Sequence, residues 1–272
     1  MSLFSAVEMA PRDPILGLNE QFAADTNPKK VNLGVGVYFD DKGKLPLLAC
    51  VQAAEKALMD KAASRGYLPI DGIAAYDSAV KVLVFGAESA AVQEGRIATV
   101  QALGGTGGLK IGADFLKKIN PEAQVLISDP SWENHRALFT NAGFKVQTYA
   151  YYDAGKRGVN FDGMLASLNA AAPGTIVVLH ACCHNPTGYD ITPAQWDQVI
   201  EVIKAKQLVA FLDMAYQGFG HGIAEDGAVI GKFVAAGLNF FVSSSFSKSF
   251  SLYGERVGAL SEIGRASCRE RV

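Results

Sequence analysis

The 272-residue sequence carries no excess of charge of either sign: 25 Lys and Arg stand against 27 Asp and Glu, a formal net charge of −2. Gripping a nucleic-acid duplex needs a basic face, so nucleic acid is not expected as a partner. Long apolar runs are missing too. None reaches the roughly 20 residues of a bilayer-crossing helix, and the start "MSLFSAVEMAPRDP" lacks the basic flank and apolar centre of a secretion signal. No membrane partner and a cytosolic location follow as expectations. Cysteine is scarce: Cys182 and Cys183 are adjacent, Cys50 lies in a helical pattern and Cys268 near the end, so no spacing suggests a disulfide framework. Internal repeats and low-complexity linkers are also absent.

What is present is an apolar chain, 49% hydrophobic, long enough for a substantial core. From residue 96 onward short β-rich runs alternate with helical patterns: "RIATVQAL" with "GGLKIGADFLKKI", "QVLISD" with "WENHRALFTNAG", "FKVQTYAY" with "FDGMLASLNAA", "TIVVLHA" with "PAQWDQVIEVIKAK", then "LVAFLDMA" and "LNFFVSS". That order predicts an α/β fold with a mostly parallel sheet, and the nearly continuous apolar character of the strands predicts helices on both faces. Thr192, Pro193 and Gln195 spell an N-cap, a first-turn proline and a capping-box partner, and Asp13 with Pro14 starts "ILGLNEQFAAD" in the same way. "LLACVQAAEKALMDKAA" and "AAYDSAVKVLVFG" read as amphipathic helices, and "KVNLGVGVYF" as a lone strand or extended arm. Residues 1–45 read as peripheral and 46–262 as one domain. The last ten residues, "IGRASCRERV", match nothing before them and read as translated sequencing adapter, to be left out of fold reasoning.

Four motifs could carry chemistry. "LGGTGGLK" (103–110) joins a strand to a helix, where glycines let an anion approach backbone N–H groups; Lys110 stands where a dinucleotide fingerprint needs its third glycine, leaving a general phosphate cup. "HACCHNPTG" (180–188) invites a metal reading. On a continuing strand His180 and His184 stand roughly 13 Å apart, so no metal is expected unless the strand ends early. What remains is a turn presenting Asn185 at the carboxyl edge of the sheet. "LVAFLDMAYQGFG" ends a strand in Asp213, a carboxylate that needs a cation or hydrogen bonds there, with Tyr216 close behind. In "SSSFSKSF" Lys248 sits between Phe246 and Phe250 just past a strand end. An amine desolvated in such a place loses its proton more readily and becomes a nucleophile toward carbonyls. Ser245 to Lys248 also spells S-x-x-K, but the S-D-N and K-T-G motifs that accompany it in penicillin-recognising enzymes are missing.

Taken in order, "VNLGVGVY", "GYLPIDG", "LGGTGGLKIGADFL", "SDPSWENH", "HACCHNPTG", "LDMAYQGFG" and "SFSKSFSLYGERVG" resemble the class I aspartate and aromatic amino-acid aminotransferases, fold-type I enzymes dependent on pyridoxal 5′-phosphate. The resemblance runs from about Asp13 to Gly258. It implies a three-layer αβα cofactor-binding large domain over 46–262, residues 1–45 as an N-terminal arm and the start of a small-domain segment, and a C-terminal small domain that is missing. Lys248 resembles the Schiff-base lysine, which also carries the substrate α-proton. Asp213 would keep the pyridinium protonated with support from His135, Trp132 would stack on the ring, and Asn185 and Tyr216 would bond its 3-oxygen. Gly105, Thr106, Ser245, Ser247 and Arg256 would hold the phosphate. Tyr67 would reach the phosphate of a neighbouring subunit, which implies a homodimer. Gly36, Trp132 and Asn185 would lie by the substrate carboxylate. The implied reaction moves the amino group of aspartate or an aromatic amino acid to 2-oxoglutarate. A lyase or decarboxylase on the same fold, or a fragment without turnover because the carboxylate-binding arginines lie beyond it, are the alternatives.

Overall fold

The computed structural model describes Ser5, Val7, Glu8 and residues 16–32, 34 and 36–264. The expected helix start at Asp13 and Pro14, and all of "IGRASCRERV" beyond Gly264, lie outside the described residues. The chain divides into two compact units, Met1–Leu47 and Leu48–Val272. The first carries α1 (Leu16–Ala24), and the described residues of "KVNLGVGVYF" form no strand.

The second unit holds the other elements. Helices α2 (Ala49–Lys61), α3 (Ala74–Phe85) and α4 (Ala90–Gln93) precede β1 (Ile97–Leu103) and α5 (Gly104–Ile119). Then come β2 (Gln124–Asp129), α6 (Glu133–Asn141), β3 (Lys145–Ala150) and the small hairpin of β4 (Tyr152–Asp153) and β5 (Gly158–Val159). After α7 (Phe161–Ala170) follow β6 (Ile176–His180), α8 (Pro193–Ala205), β7 (Val209–Met214), α9 (Ile223–Ala235), β8 (Phe240–Ser245) and β9 (Val257–Ile263). The seven-stranded sheet has the order β1-β9-β8-β7-β6-β2-β3. It is parallel from β8 through β7, β6 and β2 to β3, while β9 runs antiparallel to both β1 and β8.

The strand pattern explains the layers. Residues of opposite parity on one strand face opposite sides of a sheet. Ile176 and Val178 of β6 and Phe211 of β7 join Leu109, Ala113 and Leu116 of α5 and Phe139 of α6 in one core. Val177, Leu179, Ala210 and Leu212 join α3, α7, α8 and α9 in the other, through side chains such as Val84, Leu168, Ile200 and Phe233. Both faces are covered, which is why the strands are apolar at every position. The capping box at Thr192 forms as its spacing predicts: Thr192 Oγ1 accepts from Gln195 N at 3.2 Å and Gln195 Oε1 from Thr192 N at 2.8 Å.

The short helix α4, helix α9, strand β9 and the β4–β5 hairpin escape the sequence reading. Ile263, assigned above to the foreign tail, is fully buried in register with Ile97 and Phe240. The glycines of α5 also divide by function. A Cβ on Gly112 would stand 2.5 Å from the Phe211 ring, and one on Gly108 2.6 Å from Ser243 Oγ, so these two let the helix lie close against the sheet. Gly112→Ala should therefore lower unfolding stability by about 1–3 kcal/mol through overpacking, read as a shift in urea midpoint at unchanged slope.

Candidate active site

The same parity that builds the cores aims the chemistry. Counting on from the inward residues, His180 of β6, Asp213 of β7, and Ser243 and Ser245 of β8 all face the α5–α6 layer at the carboxyl ends of parallel strands. His180 and Asp213 are register partners. Ser243 Oγ donates to Gly105 O at 2.8 Å, tying β8 to the first turn of α5.

Asp213 is 5% exposed. Its Oδ2 lies 2.9 Å from His135 Nε2, and His135 Nδ1 lies 2.9 Å from Ser131 Oγ, so serine, histidine and carboxylate form one buried chain. Trp132 packs edge-on against the His135 ring at 5.4 Å. The histidines continue beneath it: His135 and His180 ring centroids are 4.9 Å apart, His180 and His184 4.2 Å, and His184 stacks on Tyr151 at 3.9 Å. This corrects the separation inferred for a continuing strand. β6 ends at His180, and the turn folds His184 back under it. One nitrogen each of His135 and His180 and a carboxylate oxygen of Asp213 fall within 4.8 Å of one another, but both His135 nitrogens are already engaged by Ser131 and Asp213.

The sequence reading weighed His180 and His184 only as metal ligands and gave them no other place in the site. Both rings are held neutral. Burial, reinforced by the neighbouring histidines, drives His180 well below its usual range, and burial followed by His135 brings His184 to about 4. His184 is held by Ser128 Oγ at 2.9 Å and Thr187 Oγ1 at 2.8 Å, whereas neither buried His180 nitrogen has a partner among the described residues. A histidine with a depressed folded pKa takes up its proton more readily once unfolded. Its stabilising contribution is thus complete above the unfolded value near 6.5 and is lost as pH falls toward 4. His184 should account for a loss of up to about 3 kcal/mol over that window. Urea unfolding at pH 7 and pH 4 checks this, and His184→Gln should flatten the dependence.

Lys248 lies half-buried in the turn after β8, its Nζ 4.9 Å from the centre of the Tyr216 ring. Burial lowers its pKa, Asp213 opposes that shift, and Arg256 adds to it. Burial raises the Tyr216 phenol, helped by Asp213, so it stays protonated and can donate.

Arg256 occupies a left-handed backbone conformation at φ 57°, uncommon outside glycine and a mark of locally stored strain. Its carbonyl accepts from Gly104 N at 2.8 Å, and Nη1 donates to Ser247 Oγ at 3.4 Å and Tyr253 O at 2.9 Å. No carboxylate pairs with it among the described residues. Gly104, at φ +68°, takes a backbone conformation that side chains rarely adopt, and a Cβ there would stand 2.6 Å from an Arg256 nitrogen and displace the guanidinium. Ser245 and Ser247 are buried beside it, and Gly105 and Thr106 occupy the first turn of α5, whose N-cap residue Leu103 makes no side-chain cap. A guanidinium, hydroxyls and an uncapped helix N-terminus thus converge without an acid, which is an anion cradle.

Asn185 is half-buried in the turn after β6, in a cis Asn185–Pro186 unit. Tyr67 is fully exposed and joins no other residue of this cluster. Gly36 belongs to the first unit and is exposed there.

The fold is the three-layer large domain of the pyridoxal-phosphate-dependent transferases. Residues 28–262 match the family described as aminotransferase class I and II, and the chain belongs to that family. An aspartate aminotransferase of Pseudomonas aeruginosa is 67% identical over 263 residues, covering 97% of this chain and 66% of the relative. An aromatic-amino-acid aminotransferase of Escherichia coli K12 is 50% identical over 260 residues, covering 95% of this chain and 66% of the relative. Among solved structures, an aromatic-amino-acid aminotransferase from Burkholderia pseudomallei, covalently bound to pyridoxal phosphate, superposes with a TM-score of 0.97 at 68% identity, covering 99% of this chain and 67% of that one. The chain therefore spans about two thirds of the length of the relatives it matches.

Proposed function

We propose that this chain is the cofactor-binding part of a pyridoxal-phosphate-dependent aminotransferase acting on aspartate or aromatic amino acids with 2-oxoglutarate as acceptor. The observation that carries this is the convergence of Lys248, Asp213 and an acid-free anion cradle at Arg256 on one edge of the sheet.

The residues fit the cofactor. Arg256, Ser245, Ser247 and the first turn of α5 at Gly105 and Thr106 suit a phosphate, with charge-assisted hydrogen bonds from the guanidinium. Asp213 suits a protonated ring nitrogen, and its chain to His135 and Ser131 keeps the carboxylate oriented. Trp132 offers a flat apolar face for stacking, and Asn185 and Tyr216 offer donors for a ring oxygen. When bound, pyridoxal phosphate supplies an aldehyde that accepts amines and a ring that withdraws electrons from the carbon next to the nitrogen.

The protein's own part is positioning and proton movement. Lys248 is the amine of the site, and its lowered pKa leaves more of it unprotonated at neutral pH, so Nζ can attack a carbonyl and afterwards carry a proton to and from the substrate carbon. Tyr216, beside that amine, keeps its phenol proton to donate.

A cytosolic homodimer belongs to the same reading. Tyr67 and Ile70 are wholly exposed and Leu68 more than half exposed, an apolar stretch suited to a second copy, from which Tyr67 would reach the neighbouring phosphate. Among the described residues the three cysteines are free thiols, in keeping with a reducing compartment, and no helix is long and apolar enough to cross a membrane.

Supplying the chain with pyridoxal phosphate, aspartate or tyrosine, and 2-oxoglutarate tests the reaction: glutamate and the new oxo acid should appear in step. Amine or carbon dioxide released without glutamate would instead favour a lyase or decarboxylase. Arg256→Ala should weaken cofactor binding by about 1.5–3 kcal/mol, roughly 10- to 100-fold, measured by equilibrium dialysis.

A further inference from the structure

On the other side of the "HACCHNPTG" turn lies a second cluster that the proposed reaction does not use. The Sγ atoms of Cys182 and Cys183 and a carboxylate oxygen of Asp226 all lie within 4.8 Å of one another. Adjacent residues rarely aim both side chains at one point. Here Cys183 adopts a left-handed conformation at φ 50°, and Asp190 clamps it by accepting from Cys183 N at 2.7 Å and from His184 N at 2.8 Å. Cys182 and Asp226 also line a cavity of about 250 Å³, with His221 and Glu225 at its wall.

The electrostatics favour a cation. Asp190, Glu225 and Asp226 line this cavity, and its lysine, Lys232, is paired with Asp197 at 2.5 Å. Asp226 is held below the usual carboxylate range: burial pushes it up, but N–H groups of the 218–222 loop outweigh burial. Gly218 N, Gly220 N and His221 N each donate to it at 2.9 Å.

We propose that Cys182, Cys183 and Asp226 form a binding site for a thiophilic divalent cation such as zinc or cadmium, with a fourth position open to the cavity for water or His221. Two thiolates and a carboxylate are a donor set that zinc accepts, and tetrahedral zinc holds its sulfur ligands about 3.8 Å apart, within reach of small rotations of these side chains. Binding displaces the two thiol protons to solvent, so it strengthens as pH rises. It also draws the sulfurs from their present acceptors, Met214 Sδ for Cys182 at 3.6 Å and the Tyr216 carbonyl for Cys183 at 3.9 Å.

The test is titration of the reduced chain with cadmium alone, followed by the ultraviolet cadmium–thiolate band. One ion should bind per chain. Cys182→Ser and Cys183→Ser should each weaken binding by at least about tenfold, while Cys50→Ser and Cys268→Ser leave it unchanged. No band in the wild type, or an unchanged affinity in Cys183→Ser, overturns the site. Should the serine variants fail to fold, alkylation of the wild type with iodoacetamide decides by mass spectrometry. Cadmium should slow labelling of Cys183 about tenfold and leave Cys50 unprotected, and equal rates with and without the metal overturn it.

Discussion

Lys248→Ala should abolish the visible absorbance that the wild-type chain acquires with pyridoxal phosphate, and in an active enzyme reduce turnover by at least about 10²- to 10⁴-fold. Two roles fall together at one atom. In the proposed reaction Nζ would be both the nucleophile toward a carbonyl and the base, and Tyr216, 4.9 Å away with its phenol pushed up by burial, would not replace it. The side chain is only half-buried in a turn, so the fold should survive and far-ultraviolet circular dichroism should be unchanged. The lowered pKa adds a second check. Reaction of Lys248 with a carbonyl reagent should rise with pH about a midpoint below the 10.5 of an ordinary lysine. A Lys248→Ala protein that keeps the wild-type absorbance would remove this lysine from the mechanism.

Asp213→Asn should leave pyridoxal phosphate bound but cut turnover by about 10²- to 10³-fold, the scale of deleting one preorganised electrostatic partner from a reacting site. The amide fits the same space, so the loss is of charge. A carboxylate at 5% exposure is expensive to bury, and among the described residues its side-chain hydrogen-bond partner is His135 at 2.9 Å, a group that needs no full negative charge opposite it. A cationic ring nitrogen does. Stability should fall by about 1–3 kcal/mol at most, because one hydrogen bond to His135 is altered, so kcat and the unfolding midpoint respond on very different scales. Equal turnover in Asp213→Asn and wild type would show that the charge serves folding alone.

Much of the large domain could be read in advance because its signals are local. "QVLISD" is β2 residue for residue, "FDGMLASLNAA" is α7 within one residue, and the Thr192 capping box is written in three letters. The missed elements were those whose evidence is distant. The antiparallel placement of β9 between β8 and β1 depends, on the β1 side, on partners more than 150 positions away in the chain, such as Thr99 Oγ1 with Ser261 Oγ at 2.8 Å. His180 and His184 were misjudged because strand spacing was carried past a strand that ends at His180, after which a turn closes the rings to 4.2 Å. The glycines of "LGGTGGLK" read as one cup, yet Gly104 makes room for Arg256 whereas Gly108 and its helical neighbour Gly112 make room for the sheet.

The amino-acid sequence by itself determined the alternation of strands and helices, the apolar strands that demand two covering layers, and the identity of the lysine, acid and arginine proposed to carry the chemistry. Those are properties of periodicity and residue type, and each is complete within about a dozen neighbouring positions. Only the tertiary structure decided that these groups meet. Strand parity turns Asp213 and Ser245 to the α5–α6 side, α6 brings His135 to within 2.9 Å of the carboxylate, and a left-handed Arg256 faces an uncapped helix from another part of the chain. Burial then supplies what no residue type carries alone: an amine with a lowered pKa, histidines held neutral, and two neighbouring thiols aimed at one carboxylate.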